Sequence, residues 1–178
     1  KRPEAFYAFI DSLPKNAGID TKGLAKTFSW PGKASDNPLD NLNRKQLAFV
    51  KTGETIYSAT CVACHQQDGN GMAGLAPPLN GSSWVTKSKE RLSLIVQHGI
   101  SGPIDVKGVA WNSVMPGHGP MPQFQGEGLP QVLSYIRTAW GNKADIVSAK
   151  EIRETLDANK DRSMPWTVEE LGKLKFAN

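Results

Sequence analysis

The amino-acid sequence predicts an all-α fold with long loops. Apolar residues recur at helical spacing in several segments that open on capping residues, and no segment alternates convincingly as a strand does. Composition agrees. Seventeen Gly and twelve Pro in 178 residues, with a hydrophobic fraction of 39% and 8% aromatic residues, describe one domain with a modest core and much loop.

The first helix is expected in "PEAFYAFIDSLP", where Ala5, Phe6, Phe9, Ile10 and Leu13 share a face and Pro14 ends it. "SWPGKASDNPLDN" then reads as an extended connector. This whole stretch is either a wrapping segment whose Phe28 and Trp30 cover the domain or the tail of an upstream one. A second helix starts at Asn43, an N-cap with Gln46 three residues on, and runs through "RKQLAFVKTGETIYSATC" with Leu47, Val50 and Tyr57 inward. "SKERLSLIVQHG" gives a third, with Leu92, Ile95 and Val96 on one face and Gly99 as its stop. In "LPQVLSYIRTAWG" the apolar face is Leu129, Val132, Leu133 and Ile136, and Gly141 closes the helix. Capping boxes at Ser148 with Glu151, and at Thr167 with Glu170, open two more.

Both cysteines and one of three histidines fall in "CVACHQQDGNGM", residues 61–72. Two cysteines cannot staple a chain of this length, so their spacing reads as chemistry. A dithiol redox centre is expected beside a βαβ pattern, which is absent. A zinc site needs four ligands as a rule, and only His65, His98 and His118 remain to complete one. The third reading is covalent haem: one haem c per chain, joined through Cys61 and Cys64, with His65 as proximal iron ligand. It needs no further thiol, and the porphyrin supplies core that the sequence lacks.

A haem iron held by one His has an open face, and what fills it decides the function. Thioether sulfur suits electron transfer, whereas an empty site allows ligand binding or peroxide chemistry. In "SVMPGHGPMPQF" both Met115 and Met121 precede a proline, within a Gly- and Pro-rich strap able to present sulfur. Met115 is favoured, Met121 is the alternative, and His118 is a third candidate. Met72 lies close to the attachment site, and Met164 is expected to be buried in an appended segment. Trp84 and Trp111 are expected on or near the haem, with Trp111 or Asn112 bonding a propionate.

Together these residues resemble a class I cytochrome c over roughly residues 45–142. Gly53 and Tyr57 are similar to the small residue and aromatic of that family's N-terminal helix, which crosses a C-terminal helix represented here by Val132 and Tyr135. "APPLNGSSWV" resembles its proline loop, in which a Pro carbonyl accepts the proximal imidazole's N–H; Pro77 matches better in position than Pro78. "WNSVMPGHG" followed by "VLSYIRTAWGN" resembles the cytochrome domains that accompany bacterial quinoprotein dehydrogenases, where the Met of the "VMP" run is the ligand. The resemblance implies a cytochrome c fold, a few helices around one haem, at 43–142. Residues 1–42 form an N-terminal extension or linker and 143–178 a C-terminal helical extension. One spacing departs from the family. Twenty residues separate Met115 from Tyr135, more than in those relatives, and fourteen separate Met121 from it, fewer.

What the resemblance implies is a one-electron carrier, not itself an enzyme, served by a redox protein or a fused dehydrogenase domain. The alternative is a haem enzyme or gas sensor with a labile or vacant sixth position, for which only His118 or His98 offers a distal acid or base. A net charge of +4 and a pI near 9.1 come without a dense basic run, which disfavours nucleic acid. Lys51, Lys87, Lys89 and Lys107 read as solvated charges rather than a docking rim. Apolar runs such as "LSLIV" at 92–96 fall far short of a membrane span. Covalent haem implies a periplasmic or otherwise exported protein. Because the chain opens "KRPEAFYAF" with no signal segment, it reads as a mature protein or a piece of a longer one. Nothing in the sequence sets an oligomeric state.

Overall fold

Helix α1 (Arg44–Thr60) begins at the expected capping box. The Asn43 side chain accepts from the Gln46 amide at 3.0 Å, and Gln46 Oε1 accepts from the Asn43 amide at 2.9 Å. The structure is a computed structural model that describes residues 38–176, so the helix expected in "PEAFYAFIDSLP" and most of the connector after it lie outside the described residues. The end of that connector, Pro38–Asn41, is a 3-10 turn. Along α1 the buried stripe is Val50, Gly53, Ile56 and Tyr57. Leu47, expected inward, is 36% exposed. It lies about 9 Å along the axis from the crossing at Gly53, beyond the reach of the helix that covers the stripe.

Six shorter helices follow among the described residues. Helix α2 (Val62–His65) continues α1 through the cysteine motif, and α3 (Ser83–Thr86) is a single turn. Helix α4 (Lys89–His98) is capped by Ser88, whose hydroxyl accepts from the Arg91 amide at 3.0 Å, and stops at Gly99 with φ 87°. Helix α5 is Gly128–Thr138, and α6 (Ala149–Ala158) and α7 (Val168–Lys173) open on the two predicted capping boxes. Helix α5 ends before Gly141: its C-cap Ala139 is already extended, with φ −80° and ψ 162°, and Trp140 follows at φ 55°. The Trp140 indole N–H then donates to the Gln67 carbonyl at 2.9 Å, and its ring packs on Tyr57 at 5.1 Å.

The fold rests on the crossing of α1 and α5. A Cβ at Gly53 would meet the Gln131 carbonyl oxygen at 2.0 Å and the Val132 nitrogen at 3.0 Å, so the backbones touch where only glycine fits. Tyr57 packs on Tyr135 at 5.3 Å beside this contact, as the resemblance implies.

Among the described residues four short strands add to the helical pattern. β1 (Gly99–Ile100) pairs antiparallel with β4 (Met115–Pro116), Ile100 opposite Met115. β2 (Pro103–Val106) and β3 (Val109–Asn112) form a hairpin whose turn, Lys107 and Gly108, has φ 58° and 79°. Segments of two to four residues are too short for alternation to be legible in sequence.

Two buried clusters result. The first gathers Tyr57, Leu92, Val132, Leu133 and Ile136 with Val147 and Ile152, so residues after 142 enter the main core. The second centres on Leu94, Ile95, Ile100, Trp166 and Leu171. Met115 packs against both. Met164, expected to be buried, is 67% exposed, and it is Trp166, at 5%, that takes the inside position of this segment.

Two outcomes follow. Gly53→Ala should destabilise the folded protein by about 1–3 kcal/mol, since neither backbone can yield, read from the midpoint of a denaturant melt. The Glu151 carboxyl is raised by burial, but Lys89 at 2.5 Å and the Ser148 cap outweigh that and hold it at about 2, below its ordinary 4.5. Its ionised form is therefore favoured in the fold, giving stability that is present above pH 4.5 and lost as pH falls towards 2. Glu151→Gln should cost about 1 kcal/mol or less near neutrality, given its exposure, with the difference vanishing in acid.

Candidate functional site

The end of α1 and all of α2 set the cysteine motif on one continuous helical run: the His65 amide donates to the Cys61 carbonyl at 2.9 Å and the Cys61 amide to the Tyr57 carbonyl at 2.8 Å. This run faces an apolar cleft. Its walls come from distant parts of the chain. Cys61 and His65 lie on one side. Leu92, Ile95 and Val96 of α4, Val132 and Ile136 of α5, and Ile104 and Val106 of the hairpin line much of the rest, with Pro77, Trp84 and Met115.

His65 is buried, and its Nδ1 lies 3.0 Å from the Pro77 carbonyl oxygen. A carbonyl only accepts, so Nδ1 carries the proton and Nε2 keeps its lone pair free. Burial pushes this imidazole below its ordinary value, partly offset by the Pro77 bond, with the nearby His118 lowering it further. The ring is therefore neutral, as a metal ligand must be. Pro77, and not Pro78, supplies the acceptor. The loop is fixed in turn by buried Asn142, which accepts from the Gly81 amide at 2.8 Å and donates to the Ile136 carbonyl at 2.7 Å.

Burial, then the neighbouring Cys64, pushes the Cys61 thiol up to about 12. A thiol so held is not the low-pKa thiolate that dithiol exchange uses. Cys64 is exposed, at the edge of the same turn. Among the described residues no cluster of three or more His, Cys, Asp or Glu could hold a metal ion, which leaves the zinc reading without ligands.

The other candidates separate. Trp84 lines the cleft; its indole N–H donates to the Asp105 carbonyl at 2.8 Å, and the Arg91 guanidinium stacks on its ring at 4.3 Å. Trp111 stands opposite Ile104 in the hairpin, and its indole nitrogen is buried without a hydrogen-bond partner. Asn112, next to it, is exposed. Met115 lines the cleft, whereas Met121 does not and is 38% exposed. Neither remaining histidine lines it: His118 stacks on Phe124 at 5.5 Å, and His98 Nδ1 bonds the Arg162 carbonyl at 3.0 Å. Sequence reasoning missed Ile100, Ile104 and Val106 in these walls, because the strands that carry them are two to four residues long.

The residues fit a covalent haem. An apolar cleft has a thiol and a neutral imidazole with a free lone pair in one wall and a thioether among its lining, and Trp111, whose indole donor is unpartnered, is paired with the lining residue Ile104. The Cytochrome c family model matches residues 50–140. Cytochrome c-552 of Thermus thermophilus is 35% identical over 127 residues, covering 69% of this chain and 83% of that protein. The chain belongs to the cytochrome c family.

This cytochrome is also similar to cytochrome subunits of larger enzymes. The cytochrome c subunit of the quinone-dependent alcohol dehydrogenase of Gluconacetobacter polyoxogenes is 33% identical over 108 residues, 59% of this chain and 22% of that subunit. The fructose dehydrogenase cytochrome subunit of Gluconobacter japonicus is 26% identical over 165 residues, 88% of this chain and 33% of that subunit. Membership means haem c bound covalently through Cys61 and Cys64, and electron transfer through it. No helix among the described residues is long and apolar enough to cross a membrane.

Haem should accordingly stay with the wild-type polypeptide on a denaturing gel stained for haem. The Cys61→Ala/Cys64→Ala double variant should lose that stain entirely.

Proposed function

We propose that His65 and Met115 are the axial ligands of the haem iron, and that this cytochrome is an exported one-electron carrier served by a dehydrogenase. The observation that carries the reading is that His65 and Met115 line one apolar cleft, while Met121, His98 and His118 do not.

Bound haem supplies a metal centre that gains and loses one electron. The residues of the chain set the terms. Pro77 holds the His65 ring through Nδ1–H, which fixes its orientation and strengthens Nε2 as a donor. Met115 is held by its ladder with β1, and the strap continues from it through the His118 amide to the Val96 carbonyl at 2.9 Å. With both ligands on prearranged backbone, little moves when the charge changes, and the aliphatic walls keep water from the centre. The buried indole N–H of Trp111 is the donor offered to a propionate. A haem-enzyme reading has less support, because neither His98 nor His118, the candidates for a distal acid or base, lines the cleft, and His98 Nδ1 is bonded to the Arg162 carbonyl.

Similarity to cytochrome subunits of quinone-dependent alcohol and fructose dehydrogenases supports a dehydrogenase as electron donor. Export is supported by the chemistry of covalent haem attachment.

The test is the oxidised visible spectrum. Wild type should show the weak sulfur-to-iron charge-transfer band, Met115→Ala should lose it, and Met121→Ala should keep it. A band that survives in Met115→Ala overturns the assignment.

A further inference from the structure

The segment after α6 reaches back to the strand that carries Met115's partner. Trp166 is 5% exposed and forms a parallel bridge with Ile100, on the edge of β1 opposite to β4. Its amide donates to the Gly99 carbonyl at 3.0 Å, and its carbonyl accepts from the Ser101 amide at 2.8 Å. β1 is thus held between Met115–Pro116 on one side and Trp166 on the other.

Trp166 is itself locked in place. The Arg162 guanidinium lies over its ring at 3.6 Å, donates to the Met164 and Pro165 carbonyls at 2.8 and 2.9 Å, and pairs with Glu170 at 2.7 Å. The Arg162 carbonyl meets His98 Nδ1 at 3.0 Å, at the end of α4, and the His98 ring meets the Trp166 ring edge-on at 6.5 Å. On the far side β4 crowds β1 so closely that a Cβ at Gly99 would meet the Met115 carbonyl oxygen at 2.4 Å. A displacement of β1 therefore carries the Met115 backbone with it.

We propose that Arg162 and Trp166 are positioning residues for the sixth ligand: they clamp β1 from outside and so keep the Met115 sulfur at the cleft. This rests on the reading of Met115 as ligand. It gives the C-terminal segment a role in the redox site although none of its described residues lines the cleft.

The experiment is a titration of the haem-loaded protein with imidazole, followed by loss of the charge-transfer band. Arg162→Ala and Trp166→Ala should each bind imidazole about tenfold more tightly than wild type, since a competing ligand enters as the native one loosens. Trp166→Phe should stay near wild type, because it keeps an aromatic face for Arg162 and the Trp166 indole N–H has no partner to lose. Ile152→Ala, a cavity in the first cluster away from the clamp, should lower the melting midpoint without changing imidazole affinity. Should Trp166→Ala not assemble, Arg162→Ala decides the matter. Unchanged affinity in Arg162→Ala, or an equal rise in Ile152→Ala, overturns the clamp while Met115 stands as ligand. A band that persists in Met115→Ala overturns both.

Discussion

Helices α1 and α5 touch backbone to backbone because position 53 has no side chain, and the redox site takes its shape from that contact. The crossing fixes α1, and α1 runs into the turn that carries Cys61, Cys64 and His65. The same crossing sets α5, which presents Val132 and Ile136 to the opposite wall. Past the end of α5, Trp140 returns to Tyr57 and Gln67, and Asn142 ties the proline loop whose Pro77 carbonyl orients His65. One close approach thus propagates to both the attachment site and its supporting hydrogen bond.

The walls of the cleft also explain the modest apolar content of the chain. Both buried clusters border the cleft, and Met115 packs against each of them. A porphyrin lying there completes a core that the side chains only surround, so cofactor binding and folding draw on the same apolar surface. Arg137 shows how polar groups are accommodated beside it. Its buried guanidinium donates to the carbonyls of Val85, Lys87 and Asp145, satisfying the backbone of the loops around α3 without a charged partner in the cleft.

Features that depend on residues three or four apart were legible in the sequence. The capping boxes at Asn43, Ser148 and Thr167, the stop at Gly99 and the cysteine motif each contain their own physical cause within one helical turn. Features set by distant partners were not. The hairpin at 103–112 is only four residues per strand, and its Lys-Gly turn is a weaker signal than Asn-Gly. Leu47 has the periodicity of a core residue but lies beyond the crossing, and nothing near Met164 in sequence says that Trp166 takes the inside position. Spacing left Met115 and Met121 open because the strap's register is decided by Ile100, fifteen residues before Met115 in the chain.

On the ligation proposed above, the two sides of the iron site are held by different physics. His65 is three bonds of helix away from a covalent attachment point, and its ring is steered by one local loop, so its placement is nearly inseparable from haem attachment itself. Met115 has no such tether. Its position depends on a two-residue ladder, on the amides of the strap returning to the end of α4, and on a tryptophan more than fifty residues further along. Long-range contacts of this kind can be strengthened or relaxed without disturbing the cysteine motif. With Met115 as the proposed ligand, the methionine side is where this fold would adjust ligand strength, and hence the ease of reduction, while haem attachment stays fixed.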